Sequence, residues 1–500
     1  MSGVTEHREV EYKYRVPAKL DVDVADLLKQ CGASVRAEPQ RSMSATYFDT
    51  ANLTLLRWGI TLRYRTGGGD DGWHLKIPND DSVGSVVRDE IHVDASPGAV
   101  PIQLASIVAP LVRRQEILPL ALVHTERTPF LVASGGSEQL LEVVDDSVDV
   151  GTPGEHPTTT FREIEVEVLS DDALPLAQSI GTLLIGVGVE SSSVSKAAAA
   201  LGKRASDAPD VPVLNYPDHD APAVDALQAI FSRYVRDLLL ADVGVRRDRP
   251  DSVHQMRVAC RRLRGALATF RPLLDDDATT FLREELAWLA TELGHVRDTE
   301  VQVDVLGRAI SDDETRDFVM EQLTERLRAA KSSALAALRS DRHDFLIEDL
   351  VLLVAEPPTR PAAFEPVASA ILPCISRPWR KLERSVRRSS SSTDGEAWHR
   401  IRICAKRARY AVEAVAPMFD ADYRRLAKSL SWVTDTLGSR QDAQVSVLTL
   451  HEIAAHAPAE IAYRLGQYSA RRELTGKSDV REFRERWPAI AAQARRLGLD

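Results

Sequence analysis

The period of the apolar residues changes once along this 500-residue chain, and that change restricts it to two unlike halves. Up to about residue 200, short segments alternate apolar and polar residues, the period of a strand with one buried face. Turn residues break them: Gly67-Gly68-Gly69-Asp70-Asp71-Gly72 predicts a hairpin loop, and Pro97-Gly98, Gly135-Gly136 and Gly151 to Pro157 mark further breaks. Short helical pieces are expected at Asp23–Cys31 and Leu174–Leu184. Residues 202–222, with Pro209, Pro212, Pro217 and Pro222, carry little periodicity and are expected to be a linker. From Ala223 the apolar residues recur at i, i+3, i+4 and i+7, the helical pattern. The expectation is an α+β domain over 1–201, mainly antiparallel β, and an all-α domain over 223–500. Within the latter, Glu356 to Pro361 punctuates the middle and Ser389 to Gly395 predicts a loop.

Charge and cysteine usage exclude several classes. With 63 Lys and Arg against 74 Asp and Glu, the net charge is −11, which argues against a general nucleic-acid binder. Cys31, Cys260, Cys374 and Cys404 form neither a disulfide framework nor a zinc site, so a reducing cytoplasm is the expected compartment. The first fifteen residues lack the apolar core of a signal peptide, and no stretch approaches a membrane span. No membrane partner is expected.

In the first half, charge is sorted by strand. Glu9, Glu11 and Lys13 share one face of their strand while Val10, Tyr12 and Tyr14 share the other. Glu142 and Asp146 lie on one face, as do Glu163, Glu165 and Glu167. Cations dominate elsewhere: Arg63 with Arg65, then Lys76, then Arg88 beside Glu90. Any one such strand reads equally as an amphipathic strand with a solvated face. A merely soluble surface usually mixes its signs, however, and here they are segregated. Apolar residues on the opposite faces would let each strand pack outward and turn its charges inward.

That arrangement suits a polyanion held by several guanidinium and ammonium groups, opposite a carboxylate cluster that holds Mg²⁺ or Mn²⁺. No P-loop competes, because Arg471 stands where the first glycine before Gly476-Lys477-Ser478 should be. The series Glu9-x-Glu11-x-Lys13, Thr46-Tyr47-Phe48-Asp49-Thr50, Leu62-Arg63-Tyr64-Arg65, Leu75-Lys76, Arg88-x-Glu90, Glu142-x-x-x-Asp146, Glu163-x-Glu165-x-Glu167 and Ser195-Lys196 resembles the CYTH domain, or triphosphate tunnel metalloenzymes, over about residues 5–201. The resemblance implies an eight-stranded antiparallel β-barrel forming a tunnel. By position it makes Glu9, Glu11, Glu142, Asp146, Glu165 and Glu167 metal ligands. Lys13, Arg41, Arg63, Arg65, Lys76, Arg88 and Arg127 become triphosphate contacts. Lys13, Glu90 and Lys196 are the implied catalytic residues, with Lys196 near the tunnel mouth and Glu90 supporting a second metal or orienting cations.

The helical half repeats itself. His254-x-x-Arg257-x-x-x-Arg261-Arg262-x-Arg264 recurs 145 positions later as His399-x-x-Arg402-x-x-x-Lys406-Arg407-x-Arg409. Leu293-Gly294-His295-Val296-Arg297-Asp298 recurs as Leu437-Gly438-Ser439-Arg440-Gln441-Asp442. Two ordered motifs predict two copies of one helical unit, about 223–355 and 366–500, packed with pseudo-twofold symmetry. Each copy sets a cationic stripe beside an apolar one. Like charges at this spacing repel, so the stripe calls for an anionic partner, with Asp298 and Asp442 as possible internal counterions. Single His74, His92, His451 and His456 read as packing or surface residues. This half resembles the CHAD domain, whose members are associated with inorganic polyphosphate and often follow a CYTH domain. The resemblance makes His254, Arg257, Arg261, Arg264, His399, Arg402, Lys406 and Arg409 polyphosphate contacts.

The expected activity is therefore divalent-metal-dependent hydrolysis of a triphosphate, foremost inorganic triphosphate, with polyphosphate bound by the helices. Thiamine triphosphate hydrolysis, an adenylate-cyclase-like reaction and a non-catalytic polyphosphate-binding or granule-associated protein are the alternatives. Nucleic acid is not the expected partner, because the basic stripes lack aromatic stacking platforms.

Overall fold

A computed structural model describes residues 4–79, 86–133, 139–153, 158–389, 395–473 and 478–499, without the side chains of 86, 389, 439–444, 471–473 and 478–480. Outside this range fall the Gly135-Gly136 break, part of the Gly151–Pro157 break, most of the Ser389–Gly395 loop, Gly476-Lys477 and the side chains of Ser439, Gln441 and Asp442. The chain divides into two compact units, Met1–Asp210 and Val211–Asp500.

Among the described residues ten strands build the first unit: β1 (Val4–Val16), β2 (Ser34–Ala37), β3 (Arg41–Asp49), β4 (Thr61–Thr66), β5 (Gly72–Pro78), β6 (Val86–Val93), β7 (Leu118–Ala133), β8 (Gln139–Gly151), β9 (Thr159–Val168) and β10 (Glu190–Ser192). Eight of them pair antiparallel in the order β1-β6-β5-β4-β3-β7-β8-β9, and β9 returns to β1 to close the barrel. β2 and β10 pair outside this ring, on β7 and β1. Closure leaves the barrel strands no unpaired edge and gives every residue a definite side, in or out.

Five short helices accompany the strands: α1 (Val24–Lys29), α2 (Thr54–Arg57), α3 (Ile102–Val112), α4 (Leu174–Gly186) and α5 (Lys196–Leu201). The outward faces of β1, β7, β8 and β9, including Tyr14, Val132, Val143 and Val166, pack under α1 and α4 through Leu27, Leu28, Ile180 and Leu184. Asp49 ends β3 by accepting backbone N–H groups of Thr50, Leu55 and Leu56, so the Thr46–Thr50 motif stitches β3 to α2. The barrel interior is not charged along its whole length. At one end Ala45, Tyr47, Ala121, Val123, Val148 and Val150 pack around Ala197 of α5, so an apolar cluster plugs that end. Residues 202–210 stay with this unit: Asp207 bonds Arg57, and Trp58 donates to Asp210.

The second unit is all helical: α6 (Ala223–Arg246), α7 (Ser252–Thr269), α8 (Asp276–Ala309), α9 (Asp313–Leu338), α10 (Asp341–Ala355), α11 (Val367–Ser389), α12 (Gly395–Val415), α13 (Ala421–Ala454), α14 (Ala459–Glu473) and α15 (Ser478–Arg496). Among the described residues five α-helices are thus followed by five. α6, α7 and α8 each touch their counterparts α11, α12 and α13. Equivalent residues meet: Pro222 bridges Pro366, and a side chain added at Gly265 would press on Tyr410. Contact between equivalent positions is what a twofold axis produces. Among the described residues no helix is long and apolar enough to cross a membrane.

Candidate active site

Register places the charges. Glu142 of β8 lies opposite Glu167 of β9, which lies opposite Glu11 of β1, so three carboxylates form one row. On the facing strands Arg88 lies opposite Glu9, Lys76 opposite Glu90, and Arg63 opposite His74. Arg41 and Arg127 face each other across β3 and β7. The cavity these strands surround has a volume of about 290 Å³. Fourteen of the fifteen expected tunnel residues line it: Glu9, Glu11, Lys13, Arg41, Arg63, Arg65, Lys76, Arg88, Glu90, Arg127, Glu142, Glu165, Glu167 and Lys196. Asp146 is the exception, fully buried beneath Arg127 and Lys196.

The carboxylates fall into groups that differ in how the protein neutralises them. Lys196 Nζ sits 2.7 Å from Glu163, 2.9 Å from Asp146 and 3.0 Å from Glu165. Arg127 donates two bonds to Asp146 and one to Glu165, while Lys13 lies 2.9 Å from Glu165. Burial disfavours the charge on Glu165, but Lys13, Lys196 and Arg127 outweigh it and hold the carboxyl well below the usual range. Lys196 is correspondingly held well above its own. Burial opposes its charge, and Glu165, Asp146 and Glu163 overcome that. Lys196 is therefore buried at the plugged end, whereas the family pattern puts it near the mouth.

A second group centres on Glu90. Lys76 lies 3.3 Å from it and donates to both oxygens of Glu9 at 2.7 Å. His74 Nδ1 is 2.8 Å from Glu90 and His7 Nε2 3.5 Å. Despite burial, Lys76 and the two imidazoles keep Glu90 ionised.

The row Glu11–Glu167–Glu142 is different. No cation among the described residues comes within 4 Å of Glu142 or Glu167, and Glu11 Oε1 is buried without a hydrogen bond, with Lys13 at 3.3 Å and Arg88 at 3.8 Å. Carboxylates directly opposite one another repel. Burial, then Glu9, Glu142 and Glu11, push the Glu167 carboxyl up to about 7 against the pull of Lys76. Across the cavity, Arg88 and Arg63 have their nearest carboxylates only at 3.8 and 3.9 Å, leaving donor capacity for an anion.

Sequence reasoning passed over several groups in and around the tunnel. Glu163 shares a face with Glu165 and Glu167 and was readable there. His7 has the parity of Glu9, and Tyr47, which accepts a bond from Arg63 Nη1, has the parity of Arg41. His74 read as an isolated histidine, yet it is 1% exposed and aligned by Glu90.

On α7, Arg257 reaches Asp298 at 3.0 Å, whereas Arg261 and Arg264 have no carboxylate within salt-bridge distance among the described residues, and Arg261 Nε is buried unpaired. On α12, Arg409 is taken up by Glu413 at 2.5 Å and Thr434 at 2.9 Å. His254 is kept neutral by burial and by Arg297. His399 is exposed on the same face as Arg402 and Lys406.

A closed antiparallel barrel with a carboxylate row facing guanidinium groups, joined to a duplicated helical unit, defines a two-part class. The chain belongs to it by family: a CYTH domain matches residues 7–197 and a CHAD domain residues 229–451. The CYTH assignment supports triphosphate hydrolysis and a divalent metal in general. Two uncharacterized proteins of Mycobacterium tuberculosis, strains CDC 1551 and H37Rv, are each 30% identical over 494 residues, covering 92% of this chain and 92% of their own. A CHAD domain from the plant Ricinus communis is 26% identical, covers 57% of this chain and 94% of its own, and superposes with a TM-score of 0.48. A Hippeastrum protein described by its dominant triphosphatase activity is 18% identical over 39% of this chain and 95% of its own, with a TM-score of 0.25.

Proposed function

We propose that the barrel is a divalent-metal-dependent hydrolase of inorganic triphosphate and that the helical unit binds inorganic polyphosphate. The carboxylate row carries the first part. Glu11, Glu142 and Glu167 offer hard oxygen donors: no cation among the described residues lies within 4 Å of Glu142 or Glu167, and the Glu11 oxygen, which faces Lys13 at 3.3 Å without a hydrogen bond, fits Mg²⁺ or Mn²⁺. When bound there, such an ion would polarise a phosphoryl oxygen and favour attack by water.

The chain's own groups supply the grip. Arg63 and Arg88, with Arg41 and Arg65 nearer the rim, present donors to phosphoryl oxygens along the cavity. Lys76 is aimed by Glu9 and Glu90. Lys13 keeps its proton, since Glu11 and Glu165 more than offset the cost of its burial, so it acts as a fixed charge and not as a base. Lys196 and Arg127 hold the Asp146–Glu163–Glu165 group in place and so position Lys13.

The lining also favours a small substrate. Tyr47 is the one aromatic ring among the described lining residues other than His7, and its hydroxyl is engaged by Arg63. No apolar shelf stands ready for an adenine or a thiazolium ring. A panel of inorganic triphosphate, thiamine triphosphate and ATP, with and without Mg²⁺ or Mn²⁺, tests this on the full chain. Metal-dependent phosphate release should favour inorganic triphosphate by at least about tenfold in kcat/KM. A cyclic nucleotide product, or polyphosphate binding without any hydrolysis, would overturn the reading in favour of a cyclase or an idle tunnel. A protein with this pair of activities belongs in the cytoplasm or on polyphosphate granules.

A further inference from the structure

A second cluster of ligating side chains lies at the rim of the cavity, apart from the carboxylate row. His74 of β5 and His92 of β6 are directly opposite in register, with ring centroids 4.7 Å apart. Asp70, from the loop between β4 and β5, closes over them, and one ligating atom from each of the three lies within 4.8 Å of the others. Asp70 Oδ2 is 3.9 Å from His74 Nε2, and Asp70 Oδ1 is 3.8 Å from His92 Nε2.

The partners of His74 point to a cation. Its Nδ1 faces the Glu90 carboxylate at 2.8 Å, and its Nε2 faces the backbone oxygen of Asp70 at 3.2 Å. Both neighbours are acceptors, but a neutral imidazole carries one proton. With that proton on Nδ1, donated to Glu90, the Nε2 lone pair is left against oxygen. A second proton on Nε2 would also satisfy both acceptors, but burial and the nearby Arg63 and Arg65 work against that charge; a metal ion at Nε2 satisfies the same geometry, and a carboxylate behind the far nitrogen is the usual support of a metal-bound histidine. The backbone is shaped for the second ring as well: Gly72 has φ +134°, and a Cβ there would lie 2.6 Å from His92 Nε2. His92 Nε2 also meets Asp71 O at 3.0 Å, and Asp70 is paired with Arg65 through both its carboxylate and its backbone oxygen.

The geometry points to a site for a borderline divalent ion of the Zn²⁺ class, bound by His74, His92 and Asp70 at the tunnel rim. Two imidazoles and one carboxylate suit that class and discriminate against Mg²⁺. Occupancy draws Asp70 away from Arg65, so the ion also frees a guanidinium that faces the cavity.

The test is Zn²⁺ binding by metal-stripped full-length protein in millimolar Mg²⁺, read by competition with a chromophoric chelator. About one Zn²⁺ per chain is expected, and Co²⁺ loading should give d–d absorption without a thiolate charge-transfer band. His92→Gln and Asp70→Asn should each weaken Zn²⁺ at least about tenfold. Asp70 is exposed on a loop, so its variant reports on binding even if His92→Gln folds poorly. Glu167→Gln should leave Zn²⁺ affinity unchanged. No Zn²⁺ retained against Mg²⁺, undiminished binding in Asp70→Asn, a thiolate band, or loss in Glu167→Gln would each overturn the assignment; the last would give the ion to the carboxylate row.

Discussion

Two sets of three carboxylates lie inside one barrel, one on β8 and β9 and the other across β8, β9 and β1, and they differ in the cations that meet them. Asp146, Glu163 and Glu165 are met by Lys13, Arg127 and Lys196 at bonding distance. Glu11, Glu142 and Glu167 lie in a row in which, among the described residues, only Glu11 has cations within 4 Å, Lys13 at 3.3 Å and Arg88 at 3.8 Å, and neither is hydrogen-bonded to it. Burying an ionised carboxylate is costly unless it is paired. The first set is met by cations within the protein, whereas Glu142 and Glu167 of the second have none at salt-bridge distance among the described residues. Acidic residues inside a barrel are thus not equivalent candidates for a metal, and the distinction lies in which of them the fold has already neutralised.

The comparison breaks most sharply on activity. Glu11→Gln or Glu167→Gln should cut metal-dependent phosphate release by about 10²–10³-fold, the scale of losing one preorganised charge interaction. In Glu167→Gln the barrel should stay folded or gain stability, since a repelling carboxylate is gone, whereas Glu11→Gln should cost stability, since the buried Lys13 loses a partner. Full activity in both variants would end the metal assignment. Lys196→Met should also lower stability. It strands Asp146, Glu163 and Glu165 in the interior, at a cost of roughly 3–5 kcal/mol for breaking a buried ion pair. Calorimetry of the full chain reads this as a lowered barrel transition; an unchanged transition would mean that the inner set is solvated after all.

Acid titration sharpens the contrast. The Glu167 carboxyl sits at about 7 in the fold against an ordinary 4.5. Between those values the folded barrel holds a proton that the unfolded chain has lost. Its contribution to stability is therefore greatest at the acid end and disappears as pH rises through about 7. Melting in EDTA from pH 5 to 8 should show this decline, and Mg²⁺ should abolish it while displacing up to about one proton near pH 6. In Glu167→Gln that component of the slope should vanish. If it persists, the crowding argument fails.

Much of this was legible in the sequence, because side in a strand and face on a helix follow from period alone. Alternation put Glu9, Glu11 and Lys13 inward together, and the repeated His-Arg motif announced the paired helical unit. What period could not supply was partnership. Lys196 reaches Glu163 only because α5 plugs the barrel end, and Glu11 meets Glu167 only because β9 closes onto β1. His74 and His92 likewise become a pair only through the β5–β6 register. The stretch from 202 shows composition without periodicity, yet Asp207 and Asp210 have partners in Arg57 and Arg113. Closure and register are long-range facts, and they decide which charges cancel.

The same test with signs reversed applies to the helical stripes. Arg409 is spent on Glu413 and Thr434, and Arg257 on Asp298, whereas Arg261 and Arg264 face no described carboxylate at salt-bridge distance. Arg264 is also crowded: burial and then Arg283 and Arg407 bear against its charge. A polyanion should therefore draw on Arg261 and Arg264 first. Arg261→Ala with Arg264→Ala should weaken polyphosphate binding several-fold and flatten its salt dependence by about 0.7 for each phosphate no longer neutralised, by analogy with single-stranded nucleic acids. Arg409→Ala should change both less, because its guanidinium must first leave Glu413. Binding titrations at three salt concentrations decide it, and equal weakening in the two variants would show that prior pairing within the stripe does not govern which arginines the polyanion uses.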